Sequence, residues 1–184
     1  MLQNTNDCVQ ANERGLASSF LTGFARLMRA VLEHTRKDEV SLAEDLSVLR
    51  DYLDLERLRS GARFEYRLEV GSDIDPEDLM VTPMLLQPYA EQAIWNSLGR
   101  TDDPGHLVIR VQRSQGTLVL LLEDDLQSGA TDPSIASDRS EGTVITEARL
   151  ALLAKQGKRQ ASVKVIPMPV GRRVELTLPL SEAA

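Results

Sequence analysis

At 184 residues with a formal net charge of -7 and a sequence pI of about 4.9, the chain has room for one ordinary domain with an appendage, or two small ones. The acidic balance excludes nucleic acid as the main partner, because neutralising phosphates needs a basic face. No apolar run reaches the roughly 18 to 20 residues of a membrane span, and the start MLQNTNDCVQANERG lacks a leader pattern, so no membrane contact is expected of this segment. Its single cysteine, Cys8, forms neither an internal disulfide nor a metal cluster and suits a reducing cytoplasm.

Taken in chain order, residues 11–36 carry Leu16, Phe20, Phe24, Leu27 and Val31 at helical spacing, and Leu21, Met28 and Leu32 widen the stripe. Ser41-Leu42-Ala43-Glu44 is a capping-box pattern that opens a second helix along Leu42, Leu46, Leu49 and Leu53. Two helices with this much apolar surface cannot close a core alone, so they are expected to pack on a second copy or on a missing helix, with residues 11–59 helical and mediating a homodimer.

After Gly61 the period changes, and Phe64 to Val70 alternate as a half-buried strand. A short strand is expected at Leu79–Val81, then a helix near 84–99 with Pro88 in its first turn. HLVIRVQRSQ and TLVLLLEDD read as a hairpin turning at Ser114-Gln115-Gly116. Residues 126–142, rich in Ser, Asp, Gly and Pro, read as a mobile lid. A helix near 143–156 and a closing pair of strands, the last alternating through Val174, Leu176, Leu178 and Leu180, complete the pattern. The expected division is a partial helical dimerisation region and connector at 1–62, then an α+β unit at 63–184 with a mixed sheet covered on one face by helices.

This order, with LLQPYAEQAIWNSL on the first helix of the sandwich and GTVITEARLALL on the second, resembles the LytS-type sensor histidine kinases of the GHKL ATPase superfamily. Their usual motifs read LLQPLVENAIKHGL, then D-N-G-x-G or D-D-G-x-G at a strand end, a glycine before a helix carrying R-L, and G-T before the last strand. FARLMRAVLEHTRKDEVSLAEDLSVLRDYLDLERLRSGARF also resembles the family's dimerisation helix and connector.

The resemblance implies ATP and magnesium as cofactors. It makes Glu91 the catalytic carboxylate and sets Gln92 at the magnesium-binding Asn; Asn96, four residues on and so on the same face, where the family often has His, is the candidate to supply the amide oxygen instead. It makes Asp124 the reader of the adenine amino group and gives phosphate-side roles to Gly142 and Gly171, with Arg149 and Leu150 in the helix after Gly142. The departures are Gln92 for Asn, Leu126 and Ser128 for two glycines that let backbone pass close to a nucleotide, and Arg172 for Thr. A side chain one methylene longer suits octahedral magnesium poorly. The nucleotide site is therefore expected to be weakened.

The resemblance also implies a response-regulator partner, a phosphoacceptor histidine in an upstream H-P-H-F-L-F-N motif, and residence as the cytoplasmic part of a membrane-anchored receptor. Neither His34 nor His106 has the acceptor context, so autophosphorylation is not expected from this chain alone. The alternative reading is a non-catalytic, pseudokinase-like dimeric interaction module. A metal hydrolase built on Glu123, Asp124 and Asp125 is disfavoured because consecutive strand residues face opposite ways.

Overall fold

The computed structural model describes residues 2–97, 105–125, 141–155 and 161–181. The expected lid and the positions of Leu126 and Ser128 lie outside them. In chain order the elements are α1 (Leu2–His34), β1 (Val40–Ser41), α2 (Leu42–Arg59), β2 (Phe64–Val70), β3 (Met80–Val81) and α3 (Gln87–Ser97), then β4 (Gly105–Ser114), β5 (Thr117–Asp124), α4 (Glu141–Lys155), β6 (Ser162–Pro167) and β7 (Arg172–Pro179).

The main sheet has five strands in the order β2-β4-β5-β7-β6. The pair β2 and β4 is parallel and the other pairs are antiparallel, so the sheet is mixed, as expected. Period-two alternation sends Leu107, Ile109, Val111, Leu118, Leu120, Leu122, Val174 and Leu176 to one buried face. There they pack in one core with Tyr89, Ala90, Ala93 and Ile94 of α3 and Leu150 of α4. The β4–β5 turn falls on Gln115 (φ 47°) and Gly116 (φ 79°), the paired positive dihedrals that match a two-residue hairpin to strand twist. Pro88 is the second residue of α3, where its missing N–H costs nothing.

On the open face, Arg110 donates to Glu69 at 2.9 Å and to Glu123 at 2.5 Å, and Arg173 donates to Glu123 at 2.6 Å. This charged ladder runs across β2, β4, β5 and β7. Burial works to raise the Glu123 carboxyl, but hydrogen bonds from Arg173 and Arg110 outweigh it and hold the pKa below the ordinary value.

The helical region departs from expectation. Ser41 caps α2 as its pattern predicts, its side chain accepting from Glu44 N at 3.1 Å. Leu42, Leu46, Leu49 and Leu53 of α2, however, are buried in the same core as the sheet and need no second copy. A two-stranded antiparallel sheet pairs Val40 with Val81 and Ser41 with Met80, and Leu42 N donates to Leu79 O at 2.7 Å. Together these contacts bolt the start of α2 to the α/β layer. The helix α1 attaches through a small cluster of Leu27, Val48 and Leu55 and a forked Arg26–Asp51 ion pair at 2.6 and 2.9 Å. Its Leu21 and Leu32 remain 66% and 63% exposed, with Phe24 and Met28 also exposed, so of the two N-terminal helices it is α1 that carries most of the uncovered apolar surface, α2 adding Leu58.

A candidate nucleotide groove sealed by an arginine

Three segments far apart in sequence converge where β5 ends, β7 begins and α3 passes over the sheet. Asp124 closes β5 on the helix-covered face, and its antiparallel register sets it directly opposite Arg172. Cross-strand partners share a face, so Arg172 also points under α3. Its Nε donates to Asp124 Oδ2 at 2.9 Å, its Nη1 to Gln92 Oε1 at 2.7 Å and its Nη2 to the Tyr89 carbonyl at 3.4 Å. The pair is enclosed: the Arg172 side chain is 15% exposed and that of Asp124 3%.

Gly171 holds this corner by contact. Its φ is +72°, and a Cβ added there would lie 1.7 Å from the Asp124 carbonyl oxygen. No side chain fits such a gap, so the glycine here serves the close approach of two strands. Gly142 is the second residue of α4. Asn96 lies on α3, with its side chain outside the described part.

Glu91 is placed apart from Gln92 and Asp124. Adjacent helix residues point about 100° apart, and Glu91 turns toward α2. Burial raises its carboxyl pKa, a hydrogen bond from Gln87 Nε2 at 3.0 Å opposes this, and the charge of Glu56 on α2 adds to the rise. One turn on, Trp95 lies under the Arg59 guanidinium of α2 at 5.9 Å from the ring centroid. The structure thus joins Gln92 and Asp124 in one place and sets Glu91 at the α2–α3 contact.

Consecutive acids diverge here: Glu123 faces the open ladder, Asp124 faces Arg172, and Asp125 accepts from the His106 backbone N at 2.6 Å and meets its Nδ1 at 2.7 Å. Among the described residues, no group of three or more His, Cys, Asp or Glu side chains could hold a metal ion.

Arg149, the residue of the R-L motif, donates to the Pro83 carbonyl at 2.9 Å and lines a separate cavity of about 690 Å³ with His34, Lys37, Glu39, Met84 and Leu152. Behind it Asp45 accepts from Met84 N at 2.7 Å. Burial pushes the Asp45 carboxyl up, while the Met84 hydrogen bond and the charges of His34 and Arg149 pull it down without cancelling the rise. This cluster ties α1, α2 and α4 to the loop before α3 and lies away from the groove.

A five-stranded mixed sheet under two helices, with motif residues meeting at the ends of β5 and β7, defines a GHKL-type α/β domain. Solved structures agree on the fold. The histidine kinase domain of the Erythrobacter litoralis EL346 blue-light activated histidine kinase matches with a TM-score of 0.56 at 16% identity, over 89% of this chain and 82% of that one. The Acinetobacter baumannii histidine kinase AdeS matches with a TM-score of 0.54 at 12% identity, over 89% of this chain and 78% of that one.

A histidine kinase family model matches residues 1–64. The sensor histidine kinase YesM of Bacillus subtilis is 29% identical over 126 residues, 67% of this chain and 21% of that protein. The sensor histidine kinase/phosphatase LytS of Staphylococcus aureus is 25% identical over 153 residues, 79% of this chain and 26% of that protein. The chain therefore spans about a quarter or less of the curated relatives it matches. The chain is thus similar in sequence to parts of the sensor histidine kinases YesM and LytS, and in fold to histidine kinase domains.

Histidine kinase domains of this fold bind ATP with magnesium. As arranged here, the residues do not fit that complex. The Gln92 amide oxygen and the Asp124 carboxylate, which the resemblance would assign to the metal and the base, both accept from Arg172. Sequence reasoning noted Arg172 only as a lost threonine. The available signal was a long cationic side chain immediately after a glycine, at the start of the last strand, but its target depends on the β5–β7 register.

Proposed function

We propose that this chain is the C-terminal signalling part of a two-component sensor histidine kinase, carrying the phosphoryl-transfer fold with a weakened nucleotide site. The observation that supports this reading is the convergence of Gln92, Asp124 and the Gly171-Arg172 pair within hydrogen-bonding or van der Waals reach of one another. Residues 1–62 supply the helical dimerisation region and connector, and residues 63–184 the ATPase-like unit. The exposed Leu21, Phe24, Met28 and Leu32 of α1 form the surface for a second copy. A response regulator is the downstream partner. No helix of the described residues is long and apolar enough to cross a membrane, in keeping with the cytoplasmic portion of an anchored receptor.

One observation favours the second reading, a pseudokinase-like dimeric interaction module: both ligand-reading side chains are engaged within the chain. Calorimetric titration of the protein with ADP and with a non-hydrolysable ATP analogue, each with and without magnesium, separates the two. Magnesium-enhanced micromolar binding supports a working kinase domain. Absence of heat in every titration, persisting when Arg172 is replaced by Thr, supports the interaction module.

A further inference from the structure

The groove's chemistry points to its occupant. Asp124 is an acceptor-only carboxylate, and in the nucleotide reading it waits for the N–H donors of an adenine amino group. A guanidinium offers the same kind of planar N–H edge, and Arg172 presents one at 2.9 Å from Oδ2 while a second nitrogen takes the Gln92 amide oxygen at 2.7 Å. Two features keep it there. Gly171 lies so close to the Asp124 carbonyl that the start of β7 cannot shift away from β5 without parting the strands. Arg173, the next residue, spends its charge on Glu123 across the opposite face, so Glu123 is not a rival partner for Arg172.

We propose that Arg172 is the resident ligand of the base-reading floor and the residue that sets this site's specificity, excluding adenine nucleotides by satisfying Asp124 and Gln92 from within. The proposal rests on the reading of this groove as a nucleotide-type site. Its physical basis is a competition. A base must displace a cationic donor from an enclosed carboxylate, and although its amino group would also bond an ionised acceptor, it brings no charge to compensate a carboxylate that is only 3% exposed. The neutral amino group of adenine loses that exchange. The three other departures, at Gln92, Leu126 and Ser128, then matter less than this one residue.

The test is calorimetry and thermal-shift titration of the 184-residue chain with ADP, and separately with adenosine, on wild type, Arg172→Thr and Arg172→Gln. Circular dichroism checks each fold, and Arg172→Gln, which keeps a neutral donor near Asp124, stands in if Arg172→Thr does not fold. The expected result is no saturable binding by wild type up to millimolar ligand, and at least a tenfold gain for both ligands on removing the guanidinium. Wild type binding ADP and adenosine as tightly as the variants would overturn the proposal while leaving the nucleotide groove, and the kinase reading, in place. Wild type binding ADP but not adenosine would also overturn it, by showing that phosphates draw Arg172 away and make it a nucleotide contact. No binding by any variant, an Arg172→Thr, Gln92→Asn pair included, would remove the groove itself and with it the reading on which the proposal stands.

Discussion

Asp124 and Arg172 are direct cross-strand partners at the rim of the sheet, and their ion pair is covered on the helix side, with the carboxylate side chain only 3% exposed. A charge enclosed to this degree depends on its partner. Removing one member of a buried pair typically costs about 3 to 5 kcal/mol, because the other is left uncompensated. Asp124→Ala is therefore expected to lower stability by roughly 3 kcal/mol in urea unfolding. The Asp124→Ala, Arg172→Met double variant should recover most of that loss. Additive losses in the pair would mean the two side chains are not coupled.

Gly171→Ala probes the same corner by sterics. A Cβ 1.7 Å from the Asp124 carbonyl oxygen, at φ +72°, forces either backbone movement or parting of β5 and β7. A destabilisation above about 3 kcal/mol is expected, against roughly 1 kcal/mol for a typical substitution. Thermal melts give the comparison, with Gly116→Ala as the control: it also has positive φ, but a Cβ there meets nothing within 4 Å. Equal losses at the two positions would deny the close approach.

The charged ladder makes a pH prediction. The folded-state pKa of Glu123 is lowered, so its contribution is present above the unfolded value of about 4.3 and is lost as pH falls through the lower folded value. Stability should therefore decline more steeply below about pH 4.3 in wild type than in Glu123→Gln. At neutral pH the substitution should cost on the order of 1 kcal/mol or less, since the pair is partly solvated. Parallel acid titrations of the two proteins would find no divergence if the ladder carried no free energy.

Asp45 has the opposite sign. Its folded-state pKa is raised by burial, so the folded state holds its proton to higher pH than the unfolded chain does, and stability falls as pH rises from the unfolded value through the raised one. Asn keeps an oxygen for the Met84 amide and carries no charge. Asp45→Asn is thus expected to be neutral or stabilising at pH 7, and Asp45→Ala to cost about 1 to 3 kcal/mol by orphaning the amide. A strongly destabilised Asp45→Asn would show that the ionised form is needed.

The α1 surface can be tested without touching the α/β core. Substituting Leu21 and Leu32, the most exposed of its large apolar residues, with Glu should leave the thermal melt within about 0.5 kcal/mol of wild type per site while shifting light scattering from dimer to monomer. An unchanged mass would place association elsewhere or nowhere.

Much of the architecture was legible in the residues because it rests on local rules. Alternation in Phe64–Val70 and Val174–Leu180 marks strands, Ser41 marks a helix start, and Gln115-Gly116 marks a turn. Each is decided by neighbours a few positions away. The motif segments around Gln92, Asp124 and Gly171 were found for the same reason, as short strings in a fixed order.

What only the tertiary structure decided is which side chains meet. The repeat along Leu42, Leu46, Leu49 and Leu53 shows an apolar face but not what covers it. The answer is the sheet of the same chain, because the Val40–Val81 pairing swings α2 onto it. Glu91 and Gln92 are adjacent in sequence, yet helix geometry sends one toward α2 and the other toward the groove. Arg172 reads in sequence as a missing threonine. It becomes the partner of Asp124 because β5 and β7 pair in one register and Gly171 lets the two backbones nearly touch. Sequence fixes periodicity and order through short-range stereochemistry, while the identity of the groove's occupant is a contact 48 residues apart that exists only once the sheet has closed.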